Sequence, residues 1–356
     1  MNERMEKFLT RLLDAHGPSG YEMPASRAWR AEAETFAEEV WLDVQGNSFA
    51  SLGQGGAPRV MLAGHVDEIG LMVHHVDDDG FLYVRPVGGW DPQVLVGQRV
   101  TLLSADGPVV GVVGRRAIHL IDREERDKAV KVKDLWIDIG AASRDEALER
   151  VGVGDVAVVR SDTVELANGR LAARSIDDRI GALVALEALR RAGEKAASAH
   201  AVAVATTQEE IGYKSGGGAG SGTFGLEPDA AVVIDVTHAT DHPSVDSKEH
   251  GAVKLGEGPV LSRGAVINRV LYERLVSVAE EAGIPFQVEA APSTTGTDAD
   301  AIYTSRAGVA TAVVSVPNRY MHSPNQTVAA SDVEHAVELI ALLLASLTDR
   351  DSFLPV

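Results

Sequence analysis

Residues 60–68 read Val60-Met61-Leu62-Ala63-Gly64-His65-Val66-Asp67-Glu68. An apolar run that ends in polar side chains describes a buried strand delivering chemistry at its C-terminal end. Open α/β sheets keep their active sites at that edge. His65 and Asp67 stand two apart, and residues two apart on a strand face the same way. Asp67 is therefore expected to hold the His65 imidazole in one orientation.

The pattern recurs along the chain. Ala201 to Thr207 is apolar and leads into Glu209-Glu210, and Ala231 to Ile234 leads into Asp235. Glu209 and Glu210 are read as neighbours on one extended segment, pointing to opposite sides. Asp177-Asp178 precede a helix expected over 179–192, and His322 lies in a loop after a strand expected over 308–316. Further helices are expected on the face formed by Met5, Phe8, Leu9, Leu12 and Leu13, over 268–282, and over 331–348 with Ser331 as N-cap. Gly216 to Gly222 reads as a flexible loop.

From about 71 to 170 the texture changes to short alternating runs, such as 80–84, 99–103, 107–113 and 155–159, divided by Gly, Pro and Asp. That is the pattern of a small β-barrel or sandwich. The fold expected is thus α/β, a mixed sheet flanked by helices. Residues 1–70 and 171–356 form the catalytic domain, and 71–170 an inserted β-rich domain.

Composition narrows the function. With 356 residues, the chain exceeds what one core usually holds. Its 33 Lys and Arg against 52 Asp and Glu leave a net charge of −19, which repels phosphate backbones and argues against nucleic acid as a partner. The absence of cysteine removes disulfides, thiolate metal sites and a Cys nucleophile. No signal peptide and no run near the roughly 18 apolar residues of a membrane span is visible, so a cytoplasmic protein without a membrane partner is expected.

Taken singly, each acidic pair or histidine reads more simply as a solvated surface group. Their convergence on strand ends changes that, because several buried carboxylates need a compensating cation and the strands carry no Lys or Arg to supply one. Two histidines with carboxylates and no sulfur suit zinc, cobalt or manganese. The number of candidates suits two divalent ions per subunit, with one carboxylate bridging and another left free as base. Spacing alone leaves Asp177 and Asp178 equivalent.

The blocks Ala63 to Gly70, Ser175 to Gly181, Thr207 to Gly212, Ile234 to Val236 and Arg319 to Pro324, with Leu135 to Ala141 and Gly296 to Asp298, resemble in order the di-metal aminopeptidases of the tetrahedral (TET) type. That family is often labelled glutamyl aminopeptidase or endoglucanase. The resemblance implies His65, Asp177, Glu210, Asp235 and His322 as metal ligands, with Asp177 bridging. It implies Glu209 as general base and Asp67 as the partner of His65. It also implies a homododecamer built from dimers held by the insertion, acting on short peptides. One departure is Asn325-Gln326-Thr327, where the family often has Glu. The activity expected is removal of N-terminal residues by a metal-bridging water that Glu209 deprotonates. The alternatives are a di-metal deacylase on the same site and a glycoside hydrolase.

Overall fold

The computed structural model describes residues 1–195, 197–212 and 216–355. Among them, an eight-stranded mixed sheet runs in the order Glu39–Leu42, Ser48–Leu52, His200–Thr206, Arg59–His65, Ala230–His238, Ala310–Asn318, Val260–Gly264 and Gln287–Ala291. The four central strands, from His200–Thr206 to Ala310–Asn318, are parallel to one another. Their C-terminal ends therefore share one edge.

Alternation assigns each strand two faces. Val60, Leu62, Val232 and Ile234 join a core covered by the helices Glu3–Asp14, Ile176–Glu194, Arg269–Ala282 and Ala330–Ser346. Met61, Ala63, Ala231 and Val233 face the other way, into a smaller core with Phe49, Ala219 and Ile302. Helix Ile176–Glu194 lies so close to the sheet that a Cβ on Gly64 would sit 2.4 Å from the Gly181 carbonyl carbon. Glycine there is a packing requirement.

The strands Gly70–Val76, Leu82–Val87, Trp136–Asp138, Gly107–Gly114, Arg99–Ser104 and Val156–Val159 close into a barrel in that order. The barrel has a core of its own, including Leu71, Leu82, Val100, Leu102 and Ile137. After it, Arg170–Ala173 pairs with Val164–Leu166 and with Gln326–Ala329 in a small antiparallel sheet. Among the described residues no helix is long and apolar enough to cross a membrane.

Two expectations about helices need correction. The glycine-rich stretch is not a loop: Gly217–Leu226 is a helix. Its glycines allow close approach, since a Cβ on Gly218 would meet Asn47 Oδ1 at 2.2 Å and Thr207 Oγ1 at 2.6 Å. Packing overrides the poor helix propensity of glycine here. Ser331 is not an N-cap but lies inside Ala330–Ser346, whose N-cap position is Ala329 without a side-chain bond. The neighbouring Asp332 instead accepts from the N–H groups of Gly256 and Gly258.

Candidate active site

His65 ends its strand opposite Thr206 in the parallel ladder, so the polar residues that follow both strands meet at one place. Asp177 opens helix Ile176–Glu194 with non-helical backbone, and the peptide joining it to Asp178 is cis. His322 follows strand Ala310–Asn318 with a φ of 58°. Asp235 was expected just past its strand but lies within Ala230–His238, because the ladder with Ala310–Asn318 continues beyond it. Glu209 and Glu210 are not on an extended segment: they begin the one-turn helix Glu209–Gly212. The turn sends both carboxylates toward the histidines. Glu209 Oε2 lies 3.8 Å from His65 Nε2, and Glu210 Oε2 lies 3.3 Å from His322 Nε2.

Two groups of potential metal ligands result. His65, Asp177 and Asp235 each offer an atom within 4.8 Å of the others, and so do Asp177, Glu210 and His322. Asp177 belongs to both. Its Oδ1 lies 3.1 Å from His65 Nε2 and its Oδ2 lies 3.3 Å from His322 Nε2. Asp178 belongs to neither, for it accepts from the N–H groups of His65 and Gly181 at 3.1 and 3.0 Å.

Asp67 sits just past the strand end rather than on it, buried, with Oδ1 at 3.3 Å from His65 Nδ1. The same carboxylate accepts from the backbone of Glu209 and Glu210 and from Ser19 Oγ. It thus ties the histidine to the acidic turn. The barrel borders the site too: a Cβ on Gly89 would come within 3.3 Å of His322 Nδ1.

The electrostatics describe a cluster short of positive charge. Burial pushes the Glu209 carboxyl up to about 10, with Asp235, Asp298 and Glu210 adding to it against His65. Burial and the neighbouring Asp177 raise Glu210 to about 6 and Asp235 well above its ordinary value. Burial opposes ionisation of Asp177 as well, yet bonds from His322 and His65 hold it below the usual carboxylate range. For the histidines burial works downward, but their carboxylate partners carry His65 well up and His322 to about 11. Among the described residues, Glu209 Oε1 and Glu210 Oε1 are buried without a hydrogen-bond partner. Oxygen and imidazole donors that are buried and unsatisfied fit divalent cations.

Several contacts around the site are not readable from spacing. Ser19 read only as part of a helix stop. Glu68 accepts from Gly17 N–H and is gripped by Arg174 and Arg179, an ion cluster drawn from three distant segments. Gln326 Oε1 accepts from Asp177 N–H at 2.8 Å and from Asn318 Nδ2 at 3.0 Å. The amide oxygen at this departure from the family pattern therefore orients the Asp177 backbone. Asp298, buried, accepts from Thr206 Oγ1 and adds its charge to the field at Glu209.

A parallel-centred sheet with this cluster at its edge and a barrel inserted ahead of the acidic pair is the fold of the TET aminopeptidases. A TET aminopeptidase from a marine sediment Thaumarchaeota archaeon superposes with a TM-score of 0.92 at 34% identity, over 97% of both chains. The chain belongs to the M42 glutamyl aminopeptidase family, whose model matches residues 46–339. It is 38% identical to the lysyl aminopeptidase of Pyrococcus furiosus over 97% of this chain and 98% of that one. It is also similar to the Pyrococcus horikoshii TET1 peptidase, described as assembling into a tetrahedron or a large octahedral shell. That match has a TM-score of 0.85 and 33% identity, over 96% of this chain and 100% of that one.

Proposed function

We propose that this protein is a two-metal aminopeptidase that removes the N-terminal residue of short peptides. The observation that carries the reading is the membership of Asp177 in both ligand groups, one carboxylate oxygen toward each histidine. His65 and Asp235 would hold one cation, Glu210 and His322 the other, and Asp177 both. Divalent cations there, zinc, cobalt or manganese by donor type, would acidify a water, polarise the scissile carbonyl and favour ionised Glu209. Glu209, with Oε1 free of hydrogen bonds among the described residues, takes the proton of the attacking water and returns it to the leaving amine. Asp67 keeps the acidic turn and His65 in register during this exchange. The surrounding carboxylates also suit a free substrate amine, which favours cleavage at the first residue.

In this reading, residues 1–70 and 171–356 form the catalytic unit, and 71–170 is the module through which subunits pair and build a dodecamer. The test is hydrolysis of aminoacyl anilides by chelator-treated protein reloaded separately with Zn, Co or Mn. Activity should vanish on stripping and return on reloading with about two ions per subunit. Full activity in protein shown by elemental analysis to hold no metal defeats it.

A further inference from the structure

We infer that Glu289 selects the residue removed, because it makes the space beside Asp235 a subsite for a cationic side chain, lysine or arginine. The inference rests on the aminopeptidase reading and adds its substrate class. Along Ala230–His238, Ile234 and Val236 enter the helix-covered core. Asp235 and Thr237 consequently face the opposite side, with Val233. Thr237 stands two residues, about 6.6 Å, nearer the mouth than the ligand Asp235. Its Oγ1 donates to Glu289 Oε2 at 2.7 Å. Ser262, the ladder partner of Glu289, donates through Oγ to Oε1 at 2.6 Å.

The pairing in the sheet leaves Ser262 free of the neighbouring ladder. Val260–Gly264 pairs with Ala310–Asn318 only at Val260 and Leu261. Past that ladder, Ser262 and Thr237 both meet the Glu289 carboxylate, on the side of the sheet to which Asp235 also points.

Glu289 is half-buried, and both its oxygens are fixed by neutral hydroxyls that orient the charge without cancelling it. Among the described residues no Lys, Arg or His forms an ion pair with it. Of the groups that could neutralise it, His238 feels its charge, but burial holds that imidazole below its ordinary value; Arg319 holds Asp241 through two bonds of 2.8 and 2.7 Å, and Arg263 stands over the Tyr272 ring. A peptide whose amine meets the carboxylates at Asp235 extends its first side chain past Thr237. The four-carbon stem of lysine has the reach to place its ammonium at Glu289. An acidic first residue meets like charge at the same place.

The experiment compares kcat/KM for lysyl, arginyl, leucyl and glutamyl p-nitroanilides, using metal-loaded wild type and Glu289→Gln. The wild type should prefer the two basic substrates and cleave the glutamyl one slowest. In Glu289→Gln the lysyl-to-leucyl ratio should fall about tenfold or more, the scale of a lost charge-assisted bond. A purely structural role would lower all rates together and leave that ratio unmoved, which overturns the inference. So does wild-type preference for glutamyl or leucyl substrates, whether or not the variant folds. Hydrolysis of none of the four defeats the aminopeptidase reading, and this one with it.

Discussion

Asp178 gives both carboxylate oxygens to buried backbone N–H groups, whereas those of Asp177 face two imidazoles. Substitution should separate the two tasks. Asp177→Ala is expected to leave less than one ion per subunit, with little loss of melting temperature in the stripped protein. Asp178→Ala leaves two N–H groups unpaired, at about 1–3 kcal/mol each, and should melt earlier while holding more metal than Asp177→Ala. Elemental analysis and thermal melts read both, and the reverse outcome refutes the shared role of Asp177. Glu209→Gln keeps the shape of the turn and removes the proton acceptor. It should retain metal and lose about 10²–10⁴-fold in kcat, so near-normal turnover would rule Glu209 out as base. His65, Glu210, Asp235 and His322 were legible because each follows an apolar run or sits in a recognisable block. Gln326 and Asp298 fall in stretches compared with the family, but their contacts, like that of Ser19, were not legible, since each spans more than 45 residues of sequence that no local spacing records.

The elements that carry the site are held at a few crowded junctions. The segment from strand Arg59–His65 to the barrel passes through Glu68, whose carboxylate is buried between Arg174 and Arg179. Burial lowers the Arg179 guanidinium to about 10 even with Glu68 beside it. Glu68→Gln therefore leaves two buried cations facing a neutral amide and should cost about 3–5 kcal/mol near neutral pH. Burial opposes ionisation of Glu68 itself, but its two arginines hold the folded carboxyl below its ordinary value. Its contribution is thus present above the unfolded glutamate range and is lost as pH falls through the folded value. The gap between wild type and Glu68→Gln in urea melts should shrink on acidification, and a constant gap contradicts the ion-pair account. Element types were largely readable: the apolar helix faces and the alternating barrel strands follow period alone. The helix Gly217–Leu226 was not, because its stability comes from close packing on Asn47 and Thr207 and not from its own residues. The turn at Glu209 escapes local pattern for a related reason, since bonds to Asp67, just past the end of Arg59–His65, shape it.

For the whole molecule, the proposed assembly would give the barrel a part in both access and subunit pairing. It is inserted between His65 and Asp177, and its Gly88-Gly89 bend lies against Glu210 and His322. Its outer surface exposes Val110, Val112, Ile118 and Leu120, apolar side chains that an isolated subunit leaves in water. Isolated exposed apolar residues are ordinary, but four on one small barrel suit burial against another subunit. Subunits paired through barrels that border the sites would turn those sites toward a shared interior, admitting short unfolded peptides and excluding folded proteins. Light scattering of the metal-loaded protein should therefore give a dodecamer. Ile118→Asp combined with Leu120→Asp should reduce it to dimers or monomers. The smaller species should keep their bound metal and still cleave short anilides, because none of the ligand residues lies in the barrel. They should also lose discrimination against bulky substrates, so cleavage of a folded protein with an accessible N-terminus should rise relative to a tripeptide. A stable wild-type monomer at micromolar concentration, fully active on peptides, would overturn the assembly while leaving the chemistry at Asp177 and Glu209 as it stands.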